Sequence, residues 1–180
     1  MTKPFFYIAI IGWILGIWVH LLAVSDIDVT GKFPFVWLLH LGVFVVWIPA
    51  ILRLRNNRDK KDISQERIGQ KFSPLQGVKT LFKNTPPWLV VIAIVGLAYA
   101  FLNFTLFMTR TNYTPVIQDG KYVLLNHGEF IRNVTEKEYH HIKANTMRSF
   151  SGNWIAFYGL AMAFLYPFKK NGTNNETEGR

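Results

Sequence analysis

Histidine is the side chain with the most chemistry to offer in this sequence. Two of the five histidines, His20 and His40, interrupt long apolar runs. Read as helices rising about 1.5 Å per residue, those runs set both imidazoles roughly 6 to 9 Å below one boundary. Asn103, on a third run, falls at a similar depth, and Tyr158, on a fourth, lies slightly deeper. Two histidines at matched depth on facing helices can supply both axial ligands of haem b. The same layer can hold a quinone, a lipid or a metal ion, with imidazole as ligand or hydrogen-bond partner. It can also be structural, the histidines bonding to one another, to Asn103 or to a backbone carbonyl, at about 1 kcal/mol of helix association. The structural reading carries the most weight, because two histidines in a long apolar chain often meet the haem condition by chance. These residues match the ligand set of haem b without selecting any single cofactor.

The other histidines lie in a polar stretch. Glu136 precedes His140 by one helical turn and shares its face, so a metal site would follow if His127 folded over them. His140 and His141 point about 100° apart on a helix and make a poor chelate by themselves. Arg110 closes the third apolar run and Arg148 precedes the fourth; both suit contact with headgroup phosphates or a partner's acids, or simple snorkelling. Together with His127 they would be the residues of a headgroup-acting enzyme, the third reading, but no acid–base pair accompanies them. The chain has no nucleophile elbow, Walker loop, HExxH pair or dinucleotide fingerprint. Its apolar runs carry no acids, which argues against an ion-coupled transporter. With no cysteine, disulfides, thiolate metal sites and cysteine nucleophiles are excluded.

The elements that must position these residues are set by composition. Half of the residues are hydrophobic, 17% are charged, and the mean hydropathy is +0.16. Phe5 to Val24, Pro34 to Leu52, Pro87 to Thr109 and Phe150 to Phe168 contain no Asp, Glu, Lys or Arg. Each is long enough, at about twenty residues, to cross a hydrocarbon core of about 30 Å as a helix. Lipid leaves the backbone no alternative to a helix in such a segment. The first run is too long for the apolar part of a signal peptide and reads as a retained helix. The expected fold is therefore all-α and integral to the membrane: a four-transmembrane-helix bundle with a small extracytoplasmic β-hairpin plus helix between the third and fourth spans.

Charge sets the expected orientation. The basic loop, 53–86, holds nine Lys or Arg against three acids up to Asn84, whereas the short loop 25–33 holds Asp26 and Asp28 against Lys32. The positive-inside rule then puts 53–86 in the cytoplasm and 25–33 and 110–149 outside, with both termini cytoplasmic. Spans at 5–24, 34–52, 87–109 and 150–168 complete a single membrane domain. Inside the basic loop, Ser73-Pro74 followed by Leu75, Val78, Leu81 and Phe82 predicts an interfacial helix, with 53–83 facing anionic inner-leaflet lipids. The tail, 169–180, is polar and predicted to be disordered. The positive charge is accounted for by topology, so nucleic acid is not an expected partner.

Outside, Lys121 to Leu125 and Glu129 to Val134 flank Asn126-His127-Gly128, whose Asn and Gly can take positive φ, and this predicts a hairpin. Thr135-x-x-Glu138 predicts a capping box opening a helix from Glu136 to about Arg148. Ser149-Phe-Ser-Gly152 then leads into the fourth span. Gly12-x-x-x-Gly16, Gly96-x-x-x-Ala100, Gly152-x-x-x-Ala156 and Gly159-x-x-x-Ala163 predict close helix packing, within the chain first and between copies second. Trp37, Trp88 and Trp154 fall near predicted boundaries and suit an interfacial belt.

These readings converge on a bacterial-type inner-membrane protein, a non-enzymatic accessory or scaffold subunit contacting a membrane-protein partner or a second copy. The alternative is a bundle binding haem, quinone or metal through His20 and His40.

Overall fold

The computed structural model describes residues 3–65, 85–110 and 113–167, with the side chains of all but 56–65 and 110. The predicted interfacial helix and the polar tail lie outside these residues. The chain is mostly helical: α1 (Lys3–Val24), a single turn α2 (Val29–Lys32), a 3-10 turn (Pro34–Trp37), α3 (Leu38–Gln65), α4 (Pro87–Arg110) and α5 (Glu136–Leu165). A small sheet of β1 (Thr114–Gln118), β2 (Lys121–Asn126) and β3 (Glu129–Asn133) lies between α4 and α5.

Three helical stretches are long and apolar enough to cross a membrane: Lys3–Val24, Pro34–Arg55 and Pro87–Thr109. The fourth apolar run is not among them. Its described part is the second half of α5, where Ser151, Gly152, Asn153 and Gly159 dilute the hydropathy. The packing explains this composition. α5 lies against α1, α3 and α4, and Trp154, Tyr158, Met162 and Leu165 are each no more than 2% exposed. A helix surrounded by helices needs small residues for close approach more than it needs bulk apolar surface. The outer helices instead expose large apolar side chains, among them Ile11, Trp18, Leu41, Ile48, Val91 and Phe101.

The small-residue spacings are spent on this packing. At Gly12 an added Cβ would fall onto the ring of Tyr158, and at Gly96 it would come 3.3 Å from the Cα of Ala156. α1 therefore closes onto α5 where a Cβ would overlap the Tyr158 ring, and α4 closes onto α5 where a Cβ would be tight against the backbone. Trp154, expected at an interface, is instead 1% exposed in the core, while Trp88 is exposed.

The helix expected to end near Arg148 and the fourth apolar run, expected as separate elements, are one helix. It runs unbroken from Glu136 to Leu165, because Ser151 Oγ donates back to the Met147 carbonyl at 2.7 Å and the segment is packed between neighbours. Away from the sheet, Arg53 donates to the carbonyl of Tyr166 at 2.8 Å, a cation on the residue that ends α5.

The sheet is antiparallel in the order β1-β2-β3. β2 and β3 pair as predicted, but the turn is His127-Gly128, with φ of 50° and 90°, and Asn126 ends β2 instead of taking positive φ. β1 had no sequence prediction. Its link to β2 is a second two-residue turn, Asp119-Gly120, with φ of 49° and 72°. Two successive positive-φ residues make the turn whose twist matches the flanking strands. Thr135 caps α5 as expected, accepting from the Glu138 N–H at 3.2 Å. The other half of the capping box is absent, because Arg132 on β3 donates to both carboxylate oxygens of Glu138. That pairing also holds the Glu138 carboxyl below its ordinary range.

Candidate functional site

His20, His40 and Asn103 lie beside the stretch of α5 from Arg148 to Tyr158, the fourth residue of the anticipated polar layer, Tyr158, is on α5 itself, and each spends its polar atoms on a different neighbour. His20, 6% exposed, has Nδ1 at 2.9 Å from Ser151 Oγ and Nε2 at 2.5 Å from the Tyr99 hydroxyl. One proton assignment satisfies the chain: Tyr99 donates to Nε2, Nδ1–H donates to Ser151, and Ser151 donates to the Met147 carbonyl. His40 accepts at Nδ1 from the Trp154 indole at 3.1 Å, which leaves its proton on Nε2. Trp37, Phe44 and Phe150 surround the imidazole edge-on. Asn103 donates to the Arg148 carbonyl at 3.0 Å, and Tyr158 to the Leu39 carbonyl at 2.7 Å.

Among the described residues no hydrogen bond or ring contact joins His20 to His40. Axial ligation of one haem would require His20 to release Tyr99 and His40 to offer Nε2 to the same gap. In the arrangement present, the layer ties α1, α3 and α4 to α5, a polar lock made entirely of neutral groups. Such bonds suit an apolar interior, where an unpaired polar group costs about 1–3 kcal/mol and an unpaired charge more.

The anticipated metal trio is not assembled. Glu136 Oε1 and His140 Nε2 do approach, at 3.9 Å. His127, however, sits in the β2–β3 turn, lining a cavity with Phe107, Tyr113 and Thr146, while His140 faces the loop after α1. Among the described residues no group of three or more His, Cys, Asp or Glu is placed to hold a metal ion. The Arg110 side chain lies outside the described atoms. Arg148 lines a cavity where α1 and α4 end.

A second constellation had no counterpart in the sequence reading. The loop after α1 is clamped onto the first half of α5 by acid–base pairs. Asp28, with a side chain 6% exposed, accepts from His140 Nδ1 at 3.0 Å and lies 3.5 Å from Lys143 Nζ. Asp28 also caps α2, accepting from the Gly31 N–H at 3.0 Å and the Thr30 hydroxyl at 2.6 Å. Burial alone would raise its carboxyl. The bonds from Thr30, His140 and Gly31, with the Lys143 charge, outweigh burial and bring it down to about 2. Asp26, in the left-handed region at φ 60°, pairs with His141 Nδ1 at 2.8 Å. Asn145 holds the other ring nitrogen at 2.9 Å. Its signal in the sequence is two loop acids and a His-His-x-Lys cluster, and the acids by themselves mark only topology.

Three apolar helices of membrane-crossing length fit a multi-pass membrane protein. Comparison with family models, with curated proteins and with solved structures finds no match to this chain.

Proposed function

We propose that this chain is a four-span protein of a bacterial-type inner membrane that serves as a non-enzymatic accessory or scaffold subunit, contacting its partner through the sheet. The fourth span in this reading is the second half of α5, which carries no charged residue from Ser149 to Tyr166 and is enclosed by the other three helices. An even number of spans puts both termini on the basic, cytoplasmic side and the sheet outside. The clamp between the 25–33 loop and α5 supports putting those two segments on one side of the membrane.

The observation that carries the scaffold reading is β3. It is an edge strand with all five residues exposed, Phe130 at 58% and Ile131 at 43%. Ile131 is the unpaired residue of a bulge between the Phe130 and Arg132 pairings. An edge that no described residue covers and that exposes apolar side chains is a template for pairing with another chain. The polar layer, in contrast, is closed on itself and offers no spare ligand atom at His20.

The test is purification from native membranes in mild detergent. The wild-type chain is expected to bring down a stoichiometric membrane-protein partner. Phe130→Glu with Ile131→Lys should lose that partner while inserting normally. A wild-type chain that purifies alone under every mild condition overturns the reading. For orientation, Lys121→Cys should react with an impermeant thiol reagent in intact cells, and protection of that cysteine would invert the topology.

A further inference from the structure

At the sheet-bearing end of the bundle, α1 and α4 stop while α5 continues, and the step between them forms an open cavity of about 460 Å³. One wall is a stripe of α5, His141, Asn145 and Arg148, at spacings of four and three that put the side chains on one face. Val24 and Leu106, from the ends of α1 and α4, supply apolar rims. Ligand sites commonly enclose roughly 300–1,000 Å³ and combine apolar walls with a few convergent polar groups.

Arg148 sets the chemistry. It is half-buried, and among the described residues its guanidinium has no hydrogen bond and no ion pair. The one carboxylate in the cavity, Asp26, is already paired with His141. A half-desolvated guanidinium without a counter-ion is costly. Where two apolar spans end, the anion at hand is the phosphate of a lipid headgroup, and a guanidinium fork binds two of its oxygens at once. We propose that this cavity binds one phospholipid, its phosphodiester on Arg148 and its acyl chains running down the apolar ends of α1 and α4. The Asn145 amide and the His141 ring lie on the same stripe to complete the polar wall. The proposal rests only on the chain being embedded in a membrane and is independent of any protein partner.

The test is native mass spectrometry of the full chain in a delipidating neutral detergent. Dioleoyl phosphatidylethanolamine, dioleoyl phosphatidylglycerol or dioleoylglycerol is added back, with or without millimolar inorganic phosphate. One molecule of either phospholipid should be retained, and dioleoylglycerol should not. Arg148→Gln should weaken retention by about tenfold or more, equivalent to about 1.4 kcal/mol. Ile142→Trp, which narrows the cavity and keeps the arginine, should do the same, with helical content unchanged for both variants by circular dichroism. Retention equal to wild type in either folded variant overturns the proposal, as does equal retention of dioleoylglycerol. Full displacement of the lipid by inorganic phosphate would assign the cavity to a soluble anion and overturn it too. If Arg148→Gln fails to insert, the Ile142→Trp and competition arms decide.

Discussion

His20 and His40, inside the bundle, bond to a phenol, a serine hydroxyl and an indole, whereas His140 and His141, at the sheet-bearing end, bond to carboxylates. The difference follows from where charge can be afforded. An ion pair among apolar helices must recover the desolvation of both partners, and seldom does. Neutral hydrogen bonds carry a smaller penalty and still fix how helices meet. At the end of the bundle both imidazoles stay about half exposed, at 43% and 51%, and Asp28, although buried, is compensated by the Thr30 and Gly31 donors and the Lys143 charge. The interior pairs should therefore be insensitive to salt, and the pairs at the end should respond to pH and salt.

The largest effect should come from breaking the interior at its centre. Trp154 is 1% exposed and its indole is the donor to His40. Trp154→Ala should cost about 3–5 kcal/mol, the range for truncating a large buried aromatic, with an unpaired His40 Nδ1 inside that loss. Thermal unfolding in detergent, followed by the far-ultraviolet helical signal, measures it. A loss below about 1 kcal/mol would show that α5 is not the core of the bundle.

Asp28 tests the other region. Its carboxyl stands at about 2 in the folded chain against an ordinary 3.8, and such a difference corresponds to about 2 kcal/mol. Because the folded value is the lower one, this stabilisation is fully present above 3.8 and is lost as pH falls from 3.8 towards 2. Asp28→Asn keeps the helix cap and removes the charge. It should melt below wild type at pH 6, and the two curves should meet near pH 2. A gap that persists at that pH would mean that the clamp acts through shape, not ionisation.

How much of this was legible in advance differs between the two regions for physical reasons. The depth of His20, His40, Asn103 and Tyr158 follows from helix rise, so the layer was predictable as a layer. Its bonding was not, because partners depend on which helix is central, and the small and polar residues of α5 read as a boundary when taken one by one. Ser151 is the clearest instance: in sequence it belongs to the segment that leads into the fourth span, and in the fold it is a buried link. The β2–β3 hairpin and the Thr135 cap were legible because turns and caps are local. Asp119-Gly120 carried an equally local signal, and β1 follows from it once Thr114 to Gln118 is paired back onto β2. The clamp needed the loop acids and the helix histidines to be considered together across more than a hundred residues, which no local rule does.

A smaller interior change sharpens the comparison. In His20→Leu, Ser151 keeps the Met147 carbonyl and Tyr99 keeps a partly exposed position. Few groups are left stranded, so the loss should be about 1 kcal/mol, the usual scale for polar contacts between membrane helices. Equilibrium unfolding in mixed micelles is the measurement, and the deficit should be the same in low and high salt. A deficit of several kcal/mol would mean that the Tyr99–His20–Ser151 chain acts as one cooperative unit.

The smallest effect belongs to His141, whose side chain is 51% exposed against an Asp26 side chain 61% exposed. Ion pairs this open contribute about 0–1 kcal/mol, since water already solvates both partners. His141→Leu should thus lower the melting temperature slightly in dilute buffer at pH 6. At 1 M salt, where the screening length is about 3 Å, the attraction is largely gone and the variant should melt with wild type. His20→Leu, measured alongside, should keep its deficit in both buffers. If both deficits vanish with salt, the interior layer carries charge after all; if neither does, the His141 contact with Asp26 holds by packing and the distinction between the two ends of the molecule is lost.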